Sequence, residues 1–473
     1  MNNHSKIIFI RTFLYFGIIL FIFNITIHDY SAFSEESTFL TLADAVDNAL
    51  IYNKEIKVAY HEKEAARNAK LEAVSSYLPH LSFQSEFTRT ESDRYTSPFQ
   101  EAGFSGEIYN NKIEVSQLIF NRSVISNIFL ADLKKETAEL QLIGQKQQTV
   151  FDTINLYIEI LRAEEIINVQ TQRLELAEKQ LQTAHSKFEA GYHINTDVAR
   201  AQLTKASSAR DINIAKVAME RAQVYLNQRM GLSVELRHSF KSDYLTTFDP
   251  SSMDSIELNA KDSLFAIAEK QNPAIQIAQL LVQQQEESVK IAKGEFYPSL
   301  SATGSWGYYD TDKLNWEDEE WLVQLVAEIP IFEGGRRIGK LQRTLEQLNA
   351  ETNRYENVVL DIHGEIEEAF FVMREAKNNF IIAVQAEKVA QKNYQVFFDL
   401  YESGMAESLD LIKALTDLVG AQTEIVISRY NYLRGMAQLL SALGALPVEH
   451  ISYLTNEWIV AQSKLLQERN HIQ

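Results

Sequence analysis

Few side chains in this sequence are placed to make or break bonds. The ten histidines occur singly, and none lies at a metal-ligand spacing such as HExxH. The absence of cysteine removes disulfides, thiolate metal sites, a cysteine nucleophile and a lipid-modified N-terminal cysteine. Neither a phosphate-binding lysine motif nor GxSxG occurs. Acidic runs such as Glu365 to Glu368 read as solvated helix faces. What remains is a pair of aspartates in a stretch written twice, Phe188-Glu-Ala-Gly191-Tyr-His-Ile-Asn-Thr-Asp197 and Tyr401-Glu-Ser-Gly404-Met-Ala-Glu-Ser-Leu-Asp410. Each Asp follows its glycine by six residues. Their chemistry would be electrostatic, because carboxylates gathered round an axis raise each other's pKa and attract cations. The plainer reading is that each Asp complements a helix N-terminus, worth about 0.3–1 kcal/mol. The duplication, with the Asp kept in step, favours the first. No enzyme activity, cofactor or metal site is expected.

Long heptad patterns position these stretches. Ile160, Ile167, Leu174, Leu181 and Phe188 recur at seven; Ala163, Ala177 and Ala184 hold the offset three residues on, with Gln170 interrupting. Ile212, Met219 and Leu226 carry the pattern back toward Gly231. In the second copy Met373, Phe380, Tyr394 and Tyr401 share one position, and Ala369, Ala376, Ala383, Ala390 and Phe397 another. Leu411, Leu418, Ile425, Tyr432 and Leu439 return toward Gly444. Glycine after such a pattern can take the left-handed conformation that ends a helix, so Gly191 and Gly404 read as tips of antiparallel helical hairpins. The helix over 123–188 would have roughly 66 residues and span roughly 100 Å. Shorter helices over 53–76 and 196–230, laid end to end, would nearly match it. Each copy is a wall element and not a compact enzyme core.

Before each long helix the period falls to two. Leu81, Phe83 and Phe87 alternate with polar residues, as do Ile113, Val115 and Ile119. Leu300, Ala302, Trp306 and Tyr308 form a third run; Trp321, Val323, Leu325, Ala327, Ile329 and Ile331 form a fourth. These read as two hairpins with one apolar face. Pro79 and Phe120 flank the first pair, and Pro298, Pro330, Phe332, Gly334 and Gly335 the second, as strand–helix junctions. Strands of about ten residues approach the ~9–11 that cross a bilayer at a tilt. Trp306, Tyr308, Tyr309, Trp316 and Trp321 cluster as an interfacial girdle would. Four strands cannot close alone: two chains would give eight strands, three would give twelve. The alternative is a soluble four-stranded sheet capping a coiled coil.

Lys6 and Arg11 precede an apolar run to about Ile27, followed by Ser31, Ala32 and Ser34, the order of a secretory signal peptide. A retained anchor is the alternative, but the run is shorter than the ~20 residues of a spanning helix. The net charge of -19 argues against a nucleic-acid partner. It fits a solvated acidic surface or an interior that prefers cations. The resulting division is a leader over 1–34, a first unit over 35–231 with its strand hairpin at 81–120, and a linker over 232–262. A second unit follows over 263–446 with its strand hairpin at 299–332, and then a tail over 447–473. The chain is one unit written twice, at a spacing far beyond solenoid repeats.

This layout resembles the TolC-type outer membrane efflux proteins over nearly the whole chain after the leader. The resemblance rests on Ile329-Pro-Ile-Phe-Glu-Gly-Gly-Arg-Arg337, Tyr77-Leu-Pro79, Phe296-Tyr-Pro298, Tyr401-Glu-Ser-Gly404 with Asp410, and Ala437-Gln-Leu-Leu-Ser-Ala-Leu-Gly444, in that architecture. It implies a mainly α chain with membrane β, in which a homotrimer builds a 12-stranded transmembrane barrel. A long α-helical barrel would continue into the periplasm of a Gram-negative bacterium. It implies the exit duct of a tripartite efflux or type I secretion system. The implied partners are outer membrane lipid, a periplasmic adaptor (membrane fusion protein) and an inner-membrane pump of RND or ABC type. It further implies inward-coiled tips and an acidic ring at a constriction. Asp410 matches one Asp of that ring, and Asp197 is its repeat partner. Lys413 stands where the family has a second ring Asp, and Ala406 where it has a bracing Arg. A single-Asp ring beside lysines would bind cations less strongly, and the closed state would need other contacts. A secreted structural coiled-coil protein without a channel is the competing reading.

Overall fold

The computed structural model describes residues 39–90, 106–190, 195–240, 243–252, 261–311 and 319–448. All the elements below belong to one compact unit, Leu40–Gln473. The leader, Gly191, Trp316 and the tail beyond Val448 lie outside the described residues.

The first repeat opens with α1, Leu42–Tyr52, which Thr41 and Asp44 start with a reciprocal capping box. Asn53 then both ends α1 and caps α2, Lys54–Ser75. After Pro79 come β1, His80–Thr90, and β2, Gly106–Phe120. Asn121 caps α3, Arg122–Glu189, whose 68 residues exceed the sequence estimate by one at each end. The return helix is α4, Asn195–Arg229. The segment expected to be an irregular linker contains a short helix, α5 (Asp243–Thr247), a 3-10 turn at Pro250–Ser252, and a parallel bridge from Phe240 to Leu40.

The second repeat follows as α6 (Lys261–Gln271), α7 (Pro273–Gly294), β3 (Ser299–Thr311), β4 (Glu319–Glu328), α8 (Arg336–Glu402) and α9 (Ser408–Ala442). Pro273 lies in the first turn of α7 beneath the Asn272 cap, where its missing N–H costs nothing. β4 ends at Glu328, earlier than the alternation suggested, so Ile329 and Ile331 belong to the loop before α8.

The shorter helices do stack end to end, and the same device joins them in both repeats. The Asn53 amide donates to the Arg229 carbonyl at 2.8 Å, and the Asn272 amide to the Ala442 carbonyl at 2.8 Å. One Asn thus caps the helix it begins and satisfies an orphan carbonyl of the helix arriving from the tip. Gly231 and Gly444 turn the chain away with φ of 66° and 67°. A Cβ at either would lie 2.5–2.6 Å from the carbonyl oxygen of Tyr52 or Gln271, so only glycine allows this approach. Around these joints lies the main core, built from α1, the middle of α3, the end of α4, α6, α8 and the last turns of α9.

The four strands form one antiparallel sheet in the order β1-β2-β3-β4. Paired residues in such a sheet share a face, and the register brings the apolar runs together. Leu81, Val115, Gly304 and Val323 form one row; Phe83, Ile113, Trp306 and Trp321 form the next. The other face carries Gln84, Lys112, Gly307 and Glu320 in one row, although Leu322 and Val326 interrupt its polarity. Among the described residues no helix is long and apolar enough to cross a membrane.

Candidate functional site

Two surfaces could carry function: the apolar sheet face and the hairpin tips. On the sheet, Leu81, Phe83, Val323, Leu325, Trp306 and Trp321 are all exposed in the single chain. Trp306 meets Tyr308 edge to face at 5.5 Å and donates its indole N–H to Glu319 at 2.6 Å. An apolar belt with a polar tip at its rim suits a bilayer boundary. Tyr309 pairs with Asn110 and so turns to the opposite face, which removes it from the expected girdle.

The strand–helix junctions are held by a residue that pattern reading passed over. Arg337, the second residue of α8, is almost fully buried. It donates to the Pro330 carbonyl at 2.7 Å and the Glu295 carbonyl at 3.0 Å, pairs with Glu333 at 3.1 Å, and lies over the Phe296 ring. A guanidinium can serve all these partners at once because its donors are fixed in a plane. Gly334 and Gly335 reach it through left-handed φ of 61° and 85°. Phe332 is 86% exposed, while Pro79 and Pro298 are exposed and Phe120 is at the margin of exposure. The signal for Arg337 was present in the doubled arginine after Gly335, but a charge beside a helix start is commonly solvated.

At the tips, Gly404 has φ 77°, and the amide of Met405 reaches back to the Leu400 carbonyl at 2.8 Å, the glycine-ended helix expected there. The repeated residues are not used alike. Tyr401 is 0% exposed, and its partner Phe188 is 43% exposed. Asp197 is 8% exposed and pairs with Arg200 at 3.7 Å; Asp410 and Lys413 are exposed. The structure therefore does not present the two aspartates equivalently. It brings Asp197 to Tyr401 instead: burial raises the Tyr401 phenol pKa, and the Asp197 charge raises it further, with Ser408 opposing. Lys187, in the last turn of α3, lies over the Tyr401 ring at 4.4 Å and donates to the Tyr401 carbonyl. Burial lowers the Lys187 pKa, and Glu402 partly offsets this. Lys187 escaped sequence reading because a lysine before a helix end is an ordinary solvated residue.

Farther from the tips, Glu165 joins α3 to α9 through Arg429 at 2.8 Å and the Tyr430 hydroxyl at 2.9 Å. Burial raises the Glu165 pKa, against the pull of Arg429 and Tyr430. Among the described residues no cluster of His, Asp or Glu could hold a metal ion.

The model of the family described as Outer membrane efflux protein matches this chain twice, over residues 45–232 and 264–445, once in each repeat. The chain belongs to the outer membrane efflux protein family. The outer membrane protein TolC of Escherichia coli K12 is 23% identical over 449 residues, covering 90% of this chain and 86% of TolC. The solved CmeC outer membrane channel of Campylobacter jejuni superposes with a TM-score of 0.76 at 19% identity, covering 93% of this chain and 96% of CmeC. VceC of Vibrio cholerae superposes with a TM-score of 0.74 at 17% identity, covering 85% and 96%. This efflux-family chain is accordingly an outer-membrane efflux or secretion channel of a Gram-negative bacterium, reaching into the periplasm. It is a transport protein and not an enzyme, and the reading as a channel-free coiled coil falls.

Proposed function

We propose that three copies of this chain close a 12-stranded barrel in the outer membrane, four strands from each. The observation that carries this is the sheet itself. Among the described residues β1 and β4 each have a neighbour on one side only, and the exposed apolar rows run across all four strands. A lipid-facing strand cannot leave its backbone unpaired in hydrocarbon, so the edges must meet edges of further copies. The helical hairpins then form a tube into the periplasm, with Gly191 and Gly404 at its narrow end. Asp410, exposed beside Lys413, supplies the acidic ring there. Asp197, its repeat partner, is buried beside Arg200 and acts on Tyr401, so it adds little to that ring. The division into leader, two repeats and a joining segment over 232–262 belongs to the same reading. A periplasmic adaptor and an inner-membrane pump of RND or ABC type complete the system.

Cross-linking of the full-length protein in mild detergent tests the assembly. A trimer that needs detergent to stay soluble is expected. A monomer stable in plain buffer would overturn the reading.

A further inference from the structure

The apolar alternation of β4 continues past the end of its hydrogen bonds. Trp321, Val323, Leu325 and Ala327 lie on the apolar face. Beyond the strand end at Glu328, Ile329 is 62% exposed and Ile331 is 94% exposed, with Pro330 less exposed between them. A residue before proline is held extended, so the two isoleucines carry the same face two steps further. Charge bounds the run at both ends. Above it, Glu319 lies opposite Tyr308 and accepts from the Trp306 indole. Below it, Glu333 pairs with Arg336 at 2.5 Å, and Lys340 pairs with Glu295.

We infer that this loop is itself a lipid-facing surface: Ile329 and Ile331 contact the acyl chains of inner-leaflet phospholipid, and the hydrocarbon boundary falls at Ile331. The inference rests on the barrel reading above, and length carries it. An outer-membrane barrel presents an apolar band about 25 Å tall. The six steps from Trp321 to Ala327 cover roughly 20 Å along the strand and about 15 Å of height at a tilt of ~40°. The ten steps from Trp321 to Ile331 cover roughly 33 Å of chain and about 25 Å of height. Completing the band upward instead would use Phe87 and Tyr109, whose rings meet at 4.9 Å. That placement puts Glu319 in hydrocarbon, and with it Asp310, which lies opposite Tyr109. Carboxylates on a lipid face are costly, and isoleucines are not. Backbone outside a ladder is tolerated in the bilayer only where its polar groups are satisfied. Pro330 has no N–H, and the buried Arg337 donates to its carbonyl at 2.7 Å.

The sequence holds no cysteine, so single substitutions report without background. Full-length protein carrying Leu325→Cys, Ile329→Cys, Ile331→Cys or Phe87→Cys is labelled with a nitroxide. Each variant is reconstituted in phosphatidylethanolamine–phosphatidylglycerol vesicles, with cross-linking to verify assembly. Oxygen, which partitions into lipid, and a nickel chelate, which stays in water, then compete for collisions with the label. The oxygen-to-nickel ratio should be several times higher at Leu325, Ile329 and Ile331 than at Phe87, and should fall from Leu325 to Ile331. An Ile331 label open to nickel while the Leu325 label lies in lipid would overturn the inference and leave the barrel standing. An Ile331 label shielded from both reagents would also overturn it, and would place a neighbouring copy on the loop. Four labels all open to nickel would bring down the barrel reading and this inference together.

Discussion

The two hairpin tips carry the same sequence signature and use it in opposite ways. The first exposes its aromatic, Phe188, and buries its Asp197; the second buries its aromatic, Tyr401, and exposes its Asp410. Their distal cores differ as well. The second is built from Tyr394, Tyr401, Leu411, Ala414, Leu415, Leu418 and Val419. Among the described residues the first has Ala184, Val198 and Ala201, with Leu181 beside them, and buries Gln170, Gln180, Thr204 and Ser208. Apolar burial stabilises in proportion to area, so the second hairpin is the stiffer partner and the first is held partly by polar ties to it. Duplication gives two hairpins the same internal plan. Packing one against the other then puts equivalent residues on different sides.

The largest effect that tests this contrast is a truncation in each core. Leu411→Ala should cost about 2–5 kcal/mol, and Val198→Ala about 1.5 kcal/mol. Chemical denaturation in detergent, with hydrogen exchange to localise the loss, measures both; equal costs would remove the distinction between the hairpins. The sheet offers a comparison of faces. Lys at Leu325 should cost about 2–4 kcal/mol near the bilayer midplane, and Lys at Gln324 far less. Equal refolding yields and stabilities in lipid would show that the apolar rows do not face the membrane.

Glycines sharpen the comparison of tip with joint. Gly404→Ala meets nothing within 4 Å, so it should cost only the left-handed conformation, about 1–2 kcal/mol. Gly231→Ala adds a collision with the Tyr52 carbonyl and should lose more, read as a larger fall in melting temperature. The aspartates come next. Asp410→Asn should weaken cation selectivity in planar bilayers, with a stability cost of at most about 0.3–1 kcal/mol from its place in the first turn of α9. Asp197→Asn should leave selectivity nearly intact and cost about 0.3–1 kcal/mol through its helix start and Arg200. Exchanged outcomes would put Asp197, not Asp410, at the aperture.

The smallest effect is a slope with pH. Burial holds Glu165 above its ordinary 4.5, so the folded chain keeps this proton where the unfolded chain has lost it. Its contribution is therefore most favourable below 4.5 and is lost as the pH rises from there through the folded-state value. Glu165→Gln should flatten stability over that window in denaturant titrations. An unaltered slope would mean that Glu165 does not titrate differently in the two states.

The sequence by itself determined the repeat, the two periods, the helix lengths to within a residue or two, the glycine at the second tip and the apolar strand face. These are local properties. A heptad, an Asn cap or an alternation of apolar residues acts through neighbours a few positions away, and the register follows once one face must be apolar. Only the tertiary structure decided that Tyr401 meets Asp197 and Lys187, that Arg337 is buried at the junction, that Gln180 is buried, and that Tyr309 turns from the girdle. Each depends on which side of one element packs on another far away in the chain. Lys187 and Tyr401 are 214 positions apart, and no period in either helix encodes their meeting.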